Sequence, residues 1–148
     1  MSSSKTFSFD WRGLVLFLLI MIPNLIWFAC PAPDDVLRHA TDHKMLDSIM
    51  SVVQIAMVGS LCISGKQKRN SWQQYTTIFL FVLLYYGCWI LYYLTAANTM
   101  ILWGLTIFPC LAFLLLARAE ENRPALFLTI LFTICHMVNT FLSFGIWK

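Results

Sequence analysis

The sequence predicts an all-α, polytopic membrane protein: five transmembrane helices bundled in one integral membrane domain. Three observations carry that prediction. Of the 148 residues, 59% are hydrophobic and only 11% are charged, with a mean hydropathy of +0.73. A soluble domain carries about 25% charged residues, so seven acidic and ten basic side chains are too few to coat a water-soluble globule. Five apolar stretches, at 13–30, 47–64, 76–96, 100–117 and 125–147, each reach the roughly 17–25 residues that a helix needs to cross the hydrocarbon layer. Finally, these runs are continuous and do not alternate with period two, which excludes a membrane β-barrel. Composition thereby excludes a soluble enzyme, a disordered tail and a secreted disulfide scaffold.

The first stretch follows Lys5 and Arg12 and ends near Ala29-Cys30, as a signal peptide would. It is long for a signal core, and Trp27 and Phe28 stand where cleavage requires small residues. It is expected to stay as a helix. Within it, Pro23 removes a backbone donor and kinks the axis, with Asn24 at the kink and Trp27 one turn later. Interrupted helices of this kind mark substrate sites in transporters, and the same pattern serves plain packing. Pro31 and Pro33 end the helix and set off the next segment.

In that segment Asp35, His39, His43 and Asp47 are spaced four apart, which in a helix makes one acidic, imidazole-bearing stripe. Two histidines at i and i+4 can ligate zinc, but no Glu directly follows His39, so the metalloprotease pattern is missing. A solvated amphipathic helix on the membrane surface is the expectation. The second span then places Asp47, Ser51 and Gln54 on one face, with Asp47 at the very edge of the span. After it, Lys66-Gln67-Lys68-Arg69 is a short basic loop that attracts anionic lipid and is too small a patch for nucleic acid.

The third span holds the densest aromatic cluster: Tyr85, Tyr86, Trp89, Tyr92 and Tyr93. Tyr92 and Tyr93 fit the interfacial belt that such rings favour. Tyr85, Tyr86 and Trp89 lie too deep for it and are expected to point inward. Only Ala97, Asn98 and Thr99 separate the third span from the fourth. One uninterrupted helix of about 42 residues would be about 63 Å long, twice the bilayer core, so a tight hairpin is expected, with Asn98 in the left-handed conformation that ends helices. Pro109 stands beside Cys110 in the fourth span. Arg118, Glu120, Glu121 and Arg123 form a charge-balanced turn before Pro124, which suits the start of a helix.

The last span stacks Thr129, Thr133, His136, Thr140 and Ser143 along one face, with Asn139 beside them. Phe127, Leu131, Ile134, Val138 and Leu142 occupy the opposite face. Bonds between helices are the plain reading of the hydroxyls. His136 differs as the only ionisable side chain, thiols and phenols aside, deep in a span. Its two ring nitrogens can donate and accept, toward a neighbouring helix or a ligand.

Orientation follows from Lys and Arg, which favour the cytoplasmic side. One side holds Lys5, Arg12, Lys66, Lys68, Arg69, Arg118 and Arg123, and the other only Arg38, Lys44 and Lys148. The N-terminus is therefore expected inside and the C-terminus outside, in the cell membrane. In that orientation Asn24, Gln54, Tyr92 and Asn139 fall in the outer half, and Trp89, Pro109 and His136 near the middle. Five helices can thus wall one outward-facing pocket for a small apolar or aromatic molecule, with Asn24, Trp27, Gln54, Tyr85, Trp89, Tyr92, His136 and Asn139 as candidate ligand-binding residues.

No G-x-S-x-G, H-E-x-x-H, phosphate loop or dinucleotide fingerprint occurs, so enzymatic activity is not expected, nor a cofactor. Five cysteines dispersed over five spans offer no pairing pattern or metal site. In size, helix number and Trp/Tyr content the chain resembles the tryptophan-rich sensory protein family, which implies porphyrin or sterol binding. It lacks that family's Trp-Pro-Pro loops and aromatic-Asn run, so the resemblance covers architecture only. Small four-helix multidrug exporters rely on an intramembrane carboxylate that the spans do not supply. Two readings stay open: a small-molecule binding or transport protein, plausibly a homodimer, and an interaction protein whose polar faces meet a partner membrane subunit.

Overall fold

In the computed structural model, which describes residues 8–33, 35–39, 43–64, 72–95 and 98–145, the chain is built from five long helices. They are α1 (Trp11–Ala29), α2 (Lys44–Leu61), α3 (Trp72–Leu94), α4 (Thr99–Ala119) and α5 (Arg123–Phe144). All five are long and apolar enough to cross a membrane. A 3-10 turn, Val36–His39, lies between α1 and α2. Among the described residues, the one extended element is a two-residue antiparallel pairing of β1 (Ser8–Phe9) with β2 (Ile63–Ser64), which ties the entry of α1 to the exit of α2.

The helices run past the apolar stretches at most ends because a helix does not stop where the hydrocarbon does. Arg12, Lys44, Arg118 and Arg123 are all helical. Local chemistry sets the boundaries. Asp10 caps α1 by accepting from the Arg12 amide at 3.0 Å, and Asn122 caps α5 by accepting from Ala125 at 3.1 Å. These side chains satisfy amides that the first helical turn leaves without partners. Asn98 does the same for α4, accepting from Ile101 at 3.0 Å. Its backbone is extended, with φ −123°, so Asn98 starts α4 and is not the left-handed terminus of α3. Gly145, with φ 59°, ends α5 at Phe144, short of the apolar run.

α4 is the enclosed helix, packed against α3 on one side and α5 on the other. α2 packs on α5, and α1 bridges α2, α3 and α4, so the order around the bundle is α1-α2-α5-α4-α3. The faces of α5 separate by polarity: Thr129 and Thr140 are buried, whereas Phe127, Ile134 and Leu142 are exposed. The hydroxyls mostly bond within their own helix, Thr129 to the Ala125 carbonyl and Thr133 to the Thr129 carbonyl. Two also reach α4: Thr140 meets Thr106 at 2.8 Å, and Thr133 bonds the Cys110 thiol.

One end of the bundle gathers the start of α1, the ends of α2 and α4 and the start of α5. There Glu120 and the arginines of the 118–123 turn part company. Glu120 is buried and neither carboxylate oxygen has a hydrogen-bond partner, while Arg118 and Arg123 are exposed. The opposite end gathers the segment around Asp35, the end of α3 and the end of α5.

Candidate functional site

Pro23 denies the Leu19 carbonyl its usual partner four residues on, and α3 supplies a replacement. The Tyr86 hydroxyl donates to the Leu19 carbonyl at 2.7 Å. Tyr85, one residue earlier, donates to the Ile20 carbonyl at 3.2 Å and accepts from Asn24 Nδ2 at 2.9 Å. The kink of α1 is thus pinned to α3 by two phenols and one amide. Beside this point, between α1 and the faces of α4 and α5, a cavity of about 580 Å³ opens.

All five helices contribute to its wall. Asn24 and Trp27 come from α1, Asp47 from α2, Tyr85 and Trp89 from α3, Leu105 and Thr106 from α4, and His136, Asn139 and Thr140 from α5. Leu37 and Arg38 of the 3-10 turn complete it. The lining runs from Tyr85, Leu105 and His136 in mid-helix to Ser143 and Phe144 at the end of α5. A second cavity of about 340 Å³ shares Asn24, Asp47, Tyr85, Leu105 and His136 and continues toward Gln54.

Of the eight residues singled out from sequence, Asn24, Trp27, Tyr85, Trp89, His136 and Asn139 therefore meet around the larger cavity, and Gln54 lines the smaller one. Tyr92 lines neither. It is not part of an interfacial belt either: it is 2% exposed, donates to Asp35 at 2.9 Å and accepts from the Leu37 amide at 3.1 Å. Tyr93 is half-buried and donates to the Cys30 carbonyl. Both rings are held inward because the segment after α1 folds back over the end of α3.

That segment does not form the surface stripe expected of it. Helical structure is split between Val36–His39 and Lys44–Leu61, with residues 40–42 outside the described residues, so Asp35, His39, His43 and Asp47 do not share one helix face. Asp35 turns inward instead. It accepts from Trp27 Nε1 at 2.9–3.0 Å and pairs with Arg38 at 3.1 Å. Arg38 lies 5.3 Å over the Trp27 ring, an attractive arrangement of cation and π-face, and donates to the Trp27 and Phe28 carbonyls. Asp35, Arg38, Trp27 and Tyr92 form a latch over the end of the cavity. Among the described residues no group of three or more His, Cys, Asp or Glu side chains gathers to hold a metal ion.

Asp47 lies within the first turn of α2, near the edge of the span, and it lines both cavities. Asn139 Nδ2 donates to it at 3.4 Å. Asn139 Oδ1 and His136 Nδ1 are buried with no hydrogen-bond partner among the described residues. His136 stacks on Phe132, 5.3 Å between centroids, which fixes its ring plane. Sequence reasoning missed Asp35, Arg38 and Thr106 as parts of this region. The signal for Thr106 was its place in an apolar span, but the other two required knowing where the loop lands.

Comparison of the chain with protein-family models, with curated proteins and with solved structures finds no match to any of the three.

Proposed function

We propose that this protein binds, and as a homodimer transports, a small molecule with an apolar or aromatic body in the cavity between its five helices. The observation that supports this most directly is the pair of buried, unpartnered polar atoms on the cavity wall, His136 Nδ1 and Asn139 Oδ1. An unmade hydrogen bond in a buried place costs about 1–3 kcal/mol, and two at one cavity call for an occupant that can make them. A volume of about 580 Å³ suits a small molecule, for which pockets of about 300–1,000 Å³ are usual. On this reading the cavity faces the outer side of the cell membrane, with the N-terminus inside and the C-terminus outside; the excess of Lys and Arg toward the opposite end supports that orientation.

Native mass spectrometry of protein extracted in mild detergent tests the reading. A bound small molecule is expected, and it should be lost in Trp89→Ala or His136→Ala. Protein that is ligand-free in every mild detergent, with those variants unchanged except in stability, would sink it.

One observation favours the alternative, an interaction protein without transport of its own. Ser48, Val52, Ala56 and Gly59 are exposed on α2, and a side chain added at Gly59 would meet nothing within 4 Å. Small residues let membrane helices approach closely. On that reading Gly59→Leu abolishes a dimer or a complex with a partner subunit while the monomer stays folded, which the same mass spectra would report.

A further inference from the structure

The charges around the cavity do not balance. Arg38 is neutralised by Asp35 at 3.1 Å, and both are committed to the latch. Asp47 has no such partner: among the described residues no Lys, Arg or His nitrogen lies within ion-pair distance of its carboxylate. Its one recorded side-chain contact is the long 3.4 Å bond from Asn139. Asp47 is half-buried in the first turn of α2 and lines both cavities, and a carboxylate drawn partly out of water between apolar helices is stabilised when a cation meets it. The neighbouring groups point to the same kind of occupant. Asn139 uses its amide nitrogen on Asp47, which leaves the oxygen as an unfilled acceptor, and His136 Nδ1 is a second unfilled position. Tyr85, by contrast, already donates and accepts, so it offers a ring edge and little polarity.

We propose that the molecule held in this cavity is a primary or secondary ammonium compound, ion-paired with Asp47 and donating to Asn139 Oδ1, with its aromatic or apolar body toward Trp89 and Leu105. An ammonium with at least one N–H satisfies the carboxylate and the amide oxygen at once. Trp89, 5% exposed and set among aromatic rings, suits the aromatic or apolar body by ring packing. This inference rests on the binding reading above and adds the chemistry of the ligand to it.

Three probes of one shape test it on the full chain in detergent: phenethylamine, 2-phenylethanol and phenylacetate, measured by isothermal titration and tryptophan fluorescence. On the wild-type protein the amine is expected to bind at least about tenfold more tightly than the alcohol, with phenylacetate weakest. In Asp47→Asn the ratio of amine to alcohol affinity should fall to about one. Thermal unfolding of the variant checks that it is folded, and the wild-type ranking tests the proposal whether or not the variant is. If the alcohol binds as well as the amine to the wild type, the cation is wrong and the binding reading survives. An amine preference that persists in folded Asp47→Asn likewise overturns the proposed ion pair. Failure of all three probes overturns the ammonium site, and coupled with ligand-free native mass spectra it overturns the binding reading too.

Discussion

Pro23 removes one donor from the backbone of α1, and Tyr86 supplies the replacement from another helix at 2.7 Å. Tyr86→Phe should therefore destabilise the protein by about 0.6–2 kcal/mol, the usual range for such bonds in membranes. Pro23→Ala restores the missing amide, so the cost of Tyr86→Phe should shrink in the double variant, a cycle that thermal unfolding in detergent can read. Glu120 makes a second prediction at this scale. Burial, with the negative charge of Asp10 adding to it and Arg12 opposing, pushes its carboxyl up to about 7 from the ordinary 4.5. The folded protein thus holds this proton more tightly than the unfolded chain. The resulting stability is complete below about pH 4.5 and is lost as pH rises through about 7. Glu120→Gln should flatten this decline and raise the melting temperature at pH 8. A melting temperature that climbs across this window in the wild type, and does so through Glu120, would contradict the assignment. Sequence alone could identify Pro23-Asn24 as a kink, but not that Tyr85 and Tyr86 would answer it. It gave no sign that Glu120, among arginines, would be the buried member of its turn.

The contact between α1 and α2 depends on the absence of a side chain. A Cβ at Gly13 would lie 2.7 Å from Leu61 Cβ and 3.0–3.1 Å from the Leu61 backbone, so α1 and α2 meet there with nothing between them. Gly13→Ala must push the two helices apart and should cost about 1–3 kcal/mol. Gly87 in α3 has open space at the same position, and Gly87→Ala should be neutral or slightly stabilising by helix propensity. Comparing the two melting temperatures separates helix contact from a general effect of glycine. Periodicity made the two faces of α5 legible, because lipid and protein select for different polarity. It could not tell which hydroxyls would cross between helices, since Thr and Ser in a membrane helix are satisfied as well by their own backbone as by a neighbour. Thr140, against Thr106, and Thr133, against Cys110, are the ones that reach across among the described residues.

Across the whole molecule, the proposed orientation makes a labelling prediction. Cys30 is exposed at the Asp35 end, Cys62 and Cys110 are buried, and Cys88 and Cys135 lie within helices. A membrane-impermeant maleimide applied to intact cells should label the protein once, and Cys30→Ser should abolish the label. Labelling only after the cells are opened would reverse the orientation. The same arrangement puts the latch of Asp35, Arg38, Trp27 and Tyr92 between the cavity and the outer medium. Asp35→Asn should weaken that latch and speed entry and release of any occupant without moving the groups deeper in the wall, which stopped-flow tryptophan fluorescence with phenethylamine would measure.

Helix number, approximate span limits and the polar face of α5 were determined by the sequence itself, because each follows from local hydropathy and a 3.6-residue repeat. That Asn24, Trp89, His136 and Asn139 would meet was a matter of comparing depths, and it needed the helix order to become a cavity. Tertiary structure alone decided the positions of Asp35 and Asp47. Whether a carboxylate near a helix end faces water or protein depends on how the connecting segment folds back, and that is set by partners up to 92 positions away, as in the bond from Asn139 to Asp47.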